Sequence, residues 1–550
     1  MKKQMKKIVS LLLVVLTLFS LAACGGKTAE PEATKAPDAT KAPDAISTPQ
    51  ATQIIAEGED LFEKKTPEGE LIFGTNQTIK PLNPTTCQDN SGIYLVYETL
   101  WTLDAESGEF IPKLAKEWNW TDSRTLEITL RDDVYFHSGD KLVADDVLYT
   151  IERLLDPVLS TRVLMRWSMV DLENTEVVDD THIIIRLNSD SGTLMSEFAS
   201  ATGAICNRSH CEKAGEEGFW DNVDGTGPFK LESAVTGDSQ VYVINDNYWG
   251  EKPNFNKVTM RFYAEVATMF IDYENGAIDG CFGASAEDSQ RVIDGTVDHS
   301  SLYIVPEHRL YYLAMFGLND ALKDQRVREA LAHAIDVESL AEVGYGILGV
   351  AADSLFATGV NYAIPYDRYE YDPELSKQLL ADAGYKDGDL TFKMTCNNQA
   401  ATTRMGEAFQ AMLRDVGINL EVGFFDTATH IANVQGVGSS NVCDYDFTFN
   451  SITVDSLDPN QQWATAEKDS GHQIGEIRDD EITGYLVEGK STSDEAARKA
   501  AYEKFQTAVH DKCWAVPIVN SCGACILRDY FEAASISDPR MPNIADLRLK

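Results

Sequence analysis

Apolar residues recur along the chain at two spacings. Leu126, Ile128 and Leu130 alternate with Thr125, Glu127 and Thr129, the period-two pattern of a half-buried strand. Shortly afterwards Val147, Ile151 and Leu154 fall on one face of a helix that Asp145 or Asp146 can cap and Pro157 ends. Asp372-Pro373 opens another helix, with Leu375, Leu379, Leu380 and Ala383 on one stripe and Gly384 as a left-handed exit. Arg404 to Val416 has helical spacing, Gly417 stops it, and Ile418, Leu420 and Val422 then alternate as a strand. Helix, glycine and strand in that order predict an α/β fold.

One apolar run is different. Ile8 to Ala23 is 16 residues long, preceded by Lys2, Lys3, Lys6 and Lys7, and too short for a permanent span. It reads as an export signal, 1–23. Its end, Leu21-Ala22-Ala23-Cys24-Gly25, resembles a bacterial lipobox, which implies a lipidated Cys24 as the mature N-terminus. The following stretch, 24–65, is expected to be an anchor and disordered linker. It is rich in Ala, Thr, Pro and Lys, and repeats Thr34-Lys-Ala-Pro-Asp-Ala39 as Thr40-Lys-Ala-Pro-Asp-Ala45. A coil of about 35 residues reaches roughly 30–35 Å.

Composition narrows the function. The 550 residues are 43% hydrophobic, enough for several domains, and the net charge of −40 repels nucleic acid and anionic lipid. Loss of the leader would leave 43 basic residues against 87 acidic ones, a net −44. Nine cysteines follow Cys24, an odd number at scattered spacings, which fits buried thiols better than a disulfide framework. Cys522-Gly-Ala-Cys525 and the group Cys206, His210, Cys211 lack the further ligands a zinc site needs. No HExxH, GxSxG or GxxxxGK[ST] occurs, so neither an enzyme nor a cofactor or metal site is predicted.

Longer segments then carry a resemblance. In order, they are Tyr97-Glu-Thr-Leu100, Pro112-Lys-Leu-Ala-Lys-Glu-Trp118, Leu130 to Gly139, Val143-Ala-Asp-Asp-Val-Leu-Tyr149, Gly225-Thr-Gly-Pro-Phe229, Asn247-Tyr-Trp-Gly250, Gly276-Ala-Ile-Asp279, Asp324 to Ala330, and Tyr371 through Tyr385. Together, over about residues 66 to 540, they resemble the extracellular solute-binding proteins of peptide and nickel ABC importers. Most of the matched residues also have scaffold readings. Gly225 and Gly227 would supply unusual backbone angles, and Arg326 and Arg328 would make salt bridges beside a helix start.

The resemblance implies a two-lobed periplasmic-binding-protein-like α/β fold with an extra subdomain inserted in the first lobe. Lobe I would comprise 66–96, 213–308 and 511–550, the insertion 97–212, and lobe II 309–510, with a hinge near 308 and 510. It implies a receptor, not an enzyme, that captures short peptides between the lobes and hands them to membrane permease subunits. The protein would sit as a monomer on the outer face of a bacterial cell membrane, held by lipid on Cys24. Peptide-binding members pair an aspartate in an Asp-x-x-x-Pro segment with the peptide ammonium group, and Asp455-Ser-Leu-Asp-Pro459 stands at the matching place, with Asp458 as the fallback. Ile452 and Phe449 replace a tryptophan and an arginine found in some members, which suggests an apolar wall, and Trp463 and Phe316 are further wall candidates. Two other cargoes remain open. A nickel chelate would use a cleft histidine such as His430, and an oligosaccharide would use stacked aromatics.

Overall fold

The computed structural model describes residues 52–55 and 61–550, apart from 78–81, 86–91, 105–108, 161–163, 219–222, 317–318, 366, 441–443, 455, 464–465, 467–476, 478 and 533–543. The export signal, Cys24 and most of the expected linker lie outside the described residues. Among those described, no helix is long and apolar enough to cross a membrane.

The main sheet has twelve strands, labelled in chain order: β1 (Thr52–Ile55), β2 (Glu70–Thr75), β3 (Phe229–Val235), β4 (Ser239–Ile244), β5 (Lys257–Phe262), β6 (Gly280–Phe282), β7 (Ser300–Met315), β8 (Gly349–Ala351), β9 (Leu390–Asn397), β10 (Ile418–Phe425), β11 (Phe447–Thr453) and β12 (Ala515–Arg528). Their spatial order is β10-β9-β11-β7-β12-β6-β2-β5-β4-β3, with β1 on β7 and β8 on β12. A separate four-stranded sheet is built from 115–122, 125–130, 182–186 and 176–177. The α/β reading holds, and so do the strand at 125–130 and the helices Pro373–Asp382 and Ala400–Asp415 with their glycine exits at 384 and 417, both at positive φ.

The linker expectation needs correcting. Thr52–Ile55 is a strand paired antiparallel with Ser301–Ile304. The reason is an open edge: β11 covers β7 only from Arg309 onward, so the first half of β7 needs another partner. Order at 61–65 is also fixed, since Phe62 N donates to Asp529 Oδ1 at 3.0 Å.

The antiparallel pair β7–β12 is the spine. At one end Tyr303, Val305, Cys525 and Leu527 enter a core with Leu71 and Phe73. At the other, Tyr311, Leu313 and Met315 enter a core with Phe392 and Phe409, while Leu310, Tyr312 and Ala314 enter one with Trp463 and Phe505 on the opposite face. Between the two ends the register breaks. Pro306 pairs with Cys522 and Arg309 with Ser521, so Glu307 and His308 bulge out, with His308 at φ 50°.

The sequence segments that carried the resemblance converge on buried carboxylates. Glu98 accepts from Tyr248 Oη (2.8 Å), Trp249 Nε1 (2.7 Å) and Thr226 Oγ1 (3.0 Å), tying three of those segments together. Asp279 accepts from Ile72 N (2.7 Å), Thr66 Oγ1 (2.7 Å) and the Tyr530 hydroxyl. Asp146 accepts from Val143 N and Arg208 N, so it caps the helix Ala144–Leu154 from its third position instead of standing at its N-cap. Gly225 and Gly227 are also read differently now. Neither has positive φ, and a Cβ at 225 would overlap the Val96 carbonyl oxygen, so close backbone approach is what excludes side chains there. Arg326 pairs with Asp324 as expected, whereas Arg328 donates to the carbonyls of Leu322 and Lys512 and stacks on Trp514.

Candidate functional site

β11 runs along β7 and ends at Thr453, and the chain then turns into the short helix Pro459–Trp463. Asp455 lies in this turn and outside the described residues. Its neighbours are tightly held. Val454 is buried and donates its N–H to His308 O at 2.9 Å. Ser456 is buried too, and both its N–H (3.0 Å) and its hydroxyl (2.6 Å) bond Gln461 Oε1. Leu457 sits at φ 54° and its carbonyl accepts from Asn361 N. A β-carbon in the left-handed region persists only where surrounding contacts over-determine it, and such strain gathers at ligand clamps.

Asp458 anchors the turn. Its Oδ2 receives Arg498 Nη2 at 2.6 Å, with both side chains 3% exposed, and its Oδ1 receives Asn460 N at 2.9 Å. Burial works against the charge on Arg498, but Asp458, Tyr502 and Tyr362 together outweigh it, so the guanidinium pKa is raised. Tyr362 and Tyr502 flank the guanidinium, each 5.6 Å from ring centroid to Cζ. Asp458 is therefore committed within the protein, in place of the fallback ligand role expected of it.

The expected wall does not form as one surface. Phe449 is 1% exposed and packs on Tyr311 (5.9 Å) and Phe409 (5.1 Å) on one face of β11. Ile452, three residues on, points to the other face, pairs with Leu310 and stays half-buried. Trp463 is fully buried against Tyr312 (5.0 Å) and Phe505 (5.6 Å), with Nε1 donating to Leu355 O, and Phe316 is fully buried as well. Phe449, Trp463 and Phe316 thus serve the core, which leaves Ile452 as the one of the four with accessible area.

His430, on the helix Thr427–Ser440, shares a hydrogen bond with Thr395 Oγ1 through Nδ1 (3.0 Å), while its buried Nε2 has no partner among the described residues. Burial lowers its pKa, so the ring is neutral near pH 7. Among the described residues no cluster of three His, Cys, Asp or Glu could hold a metal ion. Cys281, Cys396, Cys513, Cys522 and Cys525 are free thiols, all of them buried except Cys522. Cys522 and Cys525 are three apart on β12 and so face opposite sides of the sheet. Around the register break, Ser521 Oγ donates to Glu307 (2.6 Å), Arg309 Nε to Thr453 Oγ1 (2.7 Å), and His308 Nδ1 meets Thr358 O (2.8 Å).

Sequence reasoning missed Arg498 and Tyr362. Arg498 lies 40 positions beyond Asp458 on an ordinary amphipathic helix, and no local signal marks it.

Comparisons place this geometry among known proteins. Residues 109–472 match the family described as bacterial extracellular solute-binding proteins, family 5 Middle. The chain is 28% identical over 505 residues to the nickel-binding periplasmic protein of Escherichia coli K12, covering 85% of this chain and 90% of that one. It is 24% identical over 461 residues to a glutathione-binding protein of Shigella dysenteriae, covering 82% and 88%. Among solved structures, NikA from Brucella suis with Fe(III)-EDTA superposes with a TM-score of 0.76 at 24% identity, covering 88% of this chain and all of that one. The periplasmic binding protein DppA from Helicobacter pylori, in complex with the peptide STSA, gives 0.71 at 20%, covering 87% and 98%. These likenesses show the two-lobed binding-protein fold.

Proposed function

The chain belongs to the bacterial extracellular solute-binding proteins of family 5, the substrate-binding components of peptide and nickel ABC importers, and from that premise we propose that it captures short peptides. It does so between its lobes, tethered by lipid on Cys24, and delivers them to a membrane permease. Lobe I is 66–96, 213–308 and 511–550, with 97–212 inserted in it, and lobe II is 309–510. The Glu307–His308 bulge is the hinge, and these boundaries are supported by β7 and β12, which each contribute residues to cores on both sides of that register break.

The observation that carries the peptide reading is the locked turn around Asp455. Val454 and Ser456 are buried and bonded, Leu457 is held in a left-handed conformation, and Asp458 is already neutralised by Arg498. Asp455 is then the carboxylate of the turn available to a peptide ammonium group, and such a charge-assisted bond contributes about 1.5–3 kcal/mol. Saturating ligand stabilises the folded state by RT ln(1 + [L]/Kd), so a thermal-shift screen of residues 27–550 tests the reading. Free dipeptides and tripeptides are expected to raise Tm, and N-acetylated ones not. Equal shifts from both, or normal binding by Asp455→Ala, refute the role of Asp455.

A second reading is a nickel chelate, favoured by the neutral His430 with its unpartnered Nε2 and by the nickel-binding relative. A Tm rise with nickel and histidine but with no peptide, abolished in His430→Ala, would select it.

A further inference from the structure

Arg498 carries two donors that nothing accepts among the described residues. It is 2% exposed, Nη2 is spent on Asp458, and Nε and Nη1 are buried without hydrogen-bond partners among the described residues. What covers them comes from elsewhere in the fold. Gly192 lies on the segment between the strand His182–Arg186 and the helix Leu194–Ala199, whose Leu194 and Phe198 belong to the core around Trp101 and Trp167. Arg498 is on the helix Glu495–Asp511, whose Tyr502 and Phe505 belong to the core around Trp463. The two cores share no residue. Yet a Cβ built on Gly192 would fall inside the Arg498 guanidinium, on Nη1.

The glycine is not there for its backbone. Gly192 is outside the left-handed region that favours glycine, so another residue could adopt its φ, and space alone requires it. The segment before one helix and the side chain of another, whose cores are separate, thus come together where Gly192 lacks a side chain.

We propose that Gly192 against Arg498 is the closing contact between the inserted subdomain and lobe II. Residue 192 then sets the open-to-closed equilibrium. Opening returns the Arg498 Nε and Nη1 donors to water, and closing strips that water away, which disfavours closure until something else favours it. Because Arg498 also holds Asp458, the contact sits on the same turn that presents Asp455, so closure and the ligand turn share one ion pair. That last link rests on the peptide reading above, whereas the contact itself does not.

The test places ketone-bearing amino acids at the exposed positions Asp180 and Lys499, labels them with a nitroxide, and measures the distance distribution by double electron–electron resonance. The protein with Gly192 is expected to show a short-distance population that grows with an equimolar mixture of dipeptides. Gly192→Val is expected to lose it under both conditions while keeping the apo Tm and circular dichroism of the parent, and Ser189→Ala, an exposed neighbour, to behave as the parent. Gly192→Ala repeats the test if the valine variant does not fold, since one methyl group suffices for the clash. Persistence of the short population in these variants, or its absence from the parent with and without dipeptides, overturns the proposal. A short population that Gly192→Val removes but dipeptides leave unchanged supports the contact and counts against the peptide reading instead.

Discussion

Replacing Arg498 by alanine strands a carboxylate. In the folded protein Asp458 and Arg498 meet at 2.6 Å, each 3% exposed, so at an effective dielectric near 20 their gross attraction is about 6 kcal/mol. Removing both from water offsets most of that, and the pair as a whole is worth little more than an apolar pair of the same shape. Breaking it is another matter. Arg498→Ala leaves Asp458 buried with one backbone donor, Asn460 N, and is expected to cost about 3–5 kcal/mol, with Asp458→Ala similar. At about 2.1 cal/mol/K per residue, some 490 folded residues give an unfolding entropy near 1 kcal/mol/K, so each single change lowers Tm by about 3–5 °C. The double variant removes a charge that has already lost its partner, so its loss falls short of the sum by about 2 kcal/mol or more. Urea unfolding of the four proteins measures the cycle. Additive losses, or less than about 1 kcal/mol for Arg498→Ala, refute the claim that this pair holds the turn.

Other expectations follow from the same contacts. Burial pushes His137 down to about 4, so between pH 6.5 and 4 the unfolded chain takes up a proton that the native state refuses, and acidification removes about 3 kcal/mol of stability. Burial raises Asp146 to about 6, so between pH 6 and 3.8 the native state takes up the proton instead, and acidification adds a comparable amount. The two offset each other in the parent. His137→Gln should therefore make stability rise on acidification through that window, and Asp146→Asn should make it fall more steeply, both read from urea midpoints. Gly225→Ala, which drives a methyl group into the Val96 carbonyl, should abolish soluble folded protein, whereas Gly484→Ala meets nothing within 4 Å inside the helix Asp480–Lys490 and should stabilise by about 0.5–1 kcal/mol. Burial pushes Cys281, Cys396 and Cys513 up to about 12 and Cys522 to about 11, so these thiols should resist a disulfide reagent in the native state and react after denaturation.

How much of this was legible in the sequence depended on range. Local signals were clear: Asp372-Pro373 caps its helix through Glu374 N and Leu375 N, and Gly417 separates helix from strand at φ 84°. Long-range partners were not. Nothing near Thr52 announces that β7 lacks a neighbour along Ser301–Ile304, and nothing near Phe449 says which face of β11 is core, because a run such as Phe447-Thr-Phe449 suits either face until the partners are known. The committed state of Asp458 depends on a residue 40 positions away, and the glycine at 192 is explained by one about 300 positions away.

The same distinction separates fold from cargo. The matched segments meet at Glu98, Asp279 and Asp146, and each carboxylate bonds elements far apart in the chain: Glu98 reaches Trp249, Asp279 reaches Tyr530, Asp146 reaches Arg208. Such groups are indispensable whatever the ligand, because a buried carboxylate stripped of its donors, or donors stripped of their carboxylate, carries an uncompensated desolvation penalty. Glu98 illustrates this, its pKa raised by burial even with Lys113 and three hydrogen bonds opposing the shift. Segments selected by that demand identify the architecture and are silent on what enters the cleft. That is consistent with relatives of comparable identity whose names specify nickel in one case and glutathione in the other. Cargo must be decided by residues that the scaffold does not consume. In the turn after β11 the scaffold consumes Ser456 and Asp458, and across that sheet it consumes Phe449 and Trp463, so substitutions at Asp455 and Ile452 are where a change of ligand without a change of fold is to be sought.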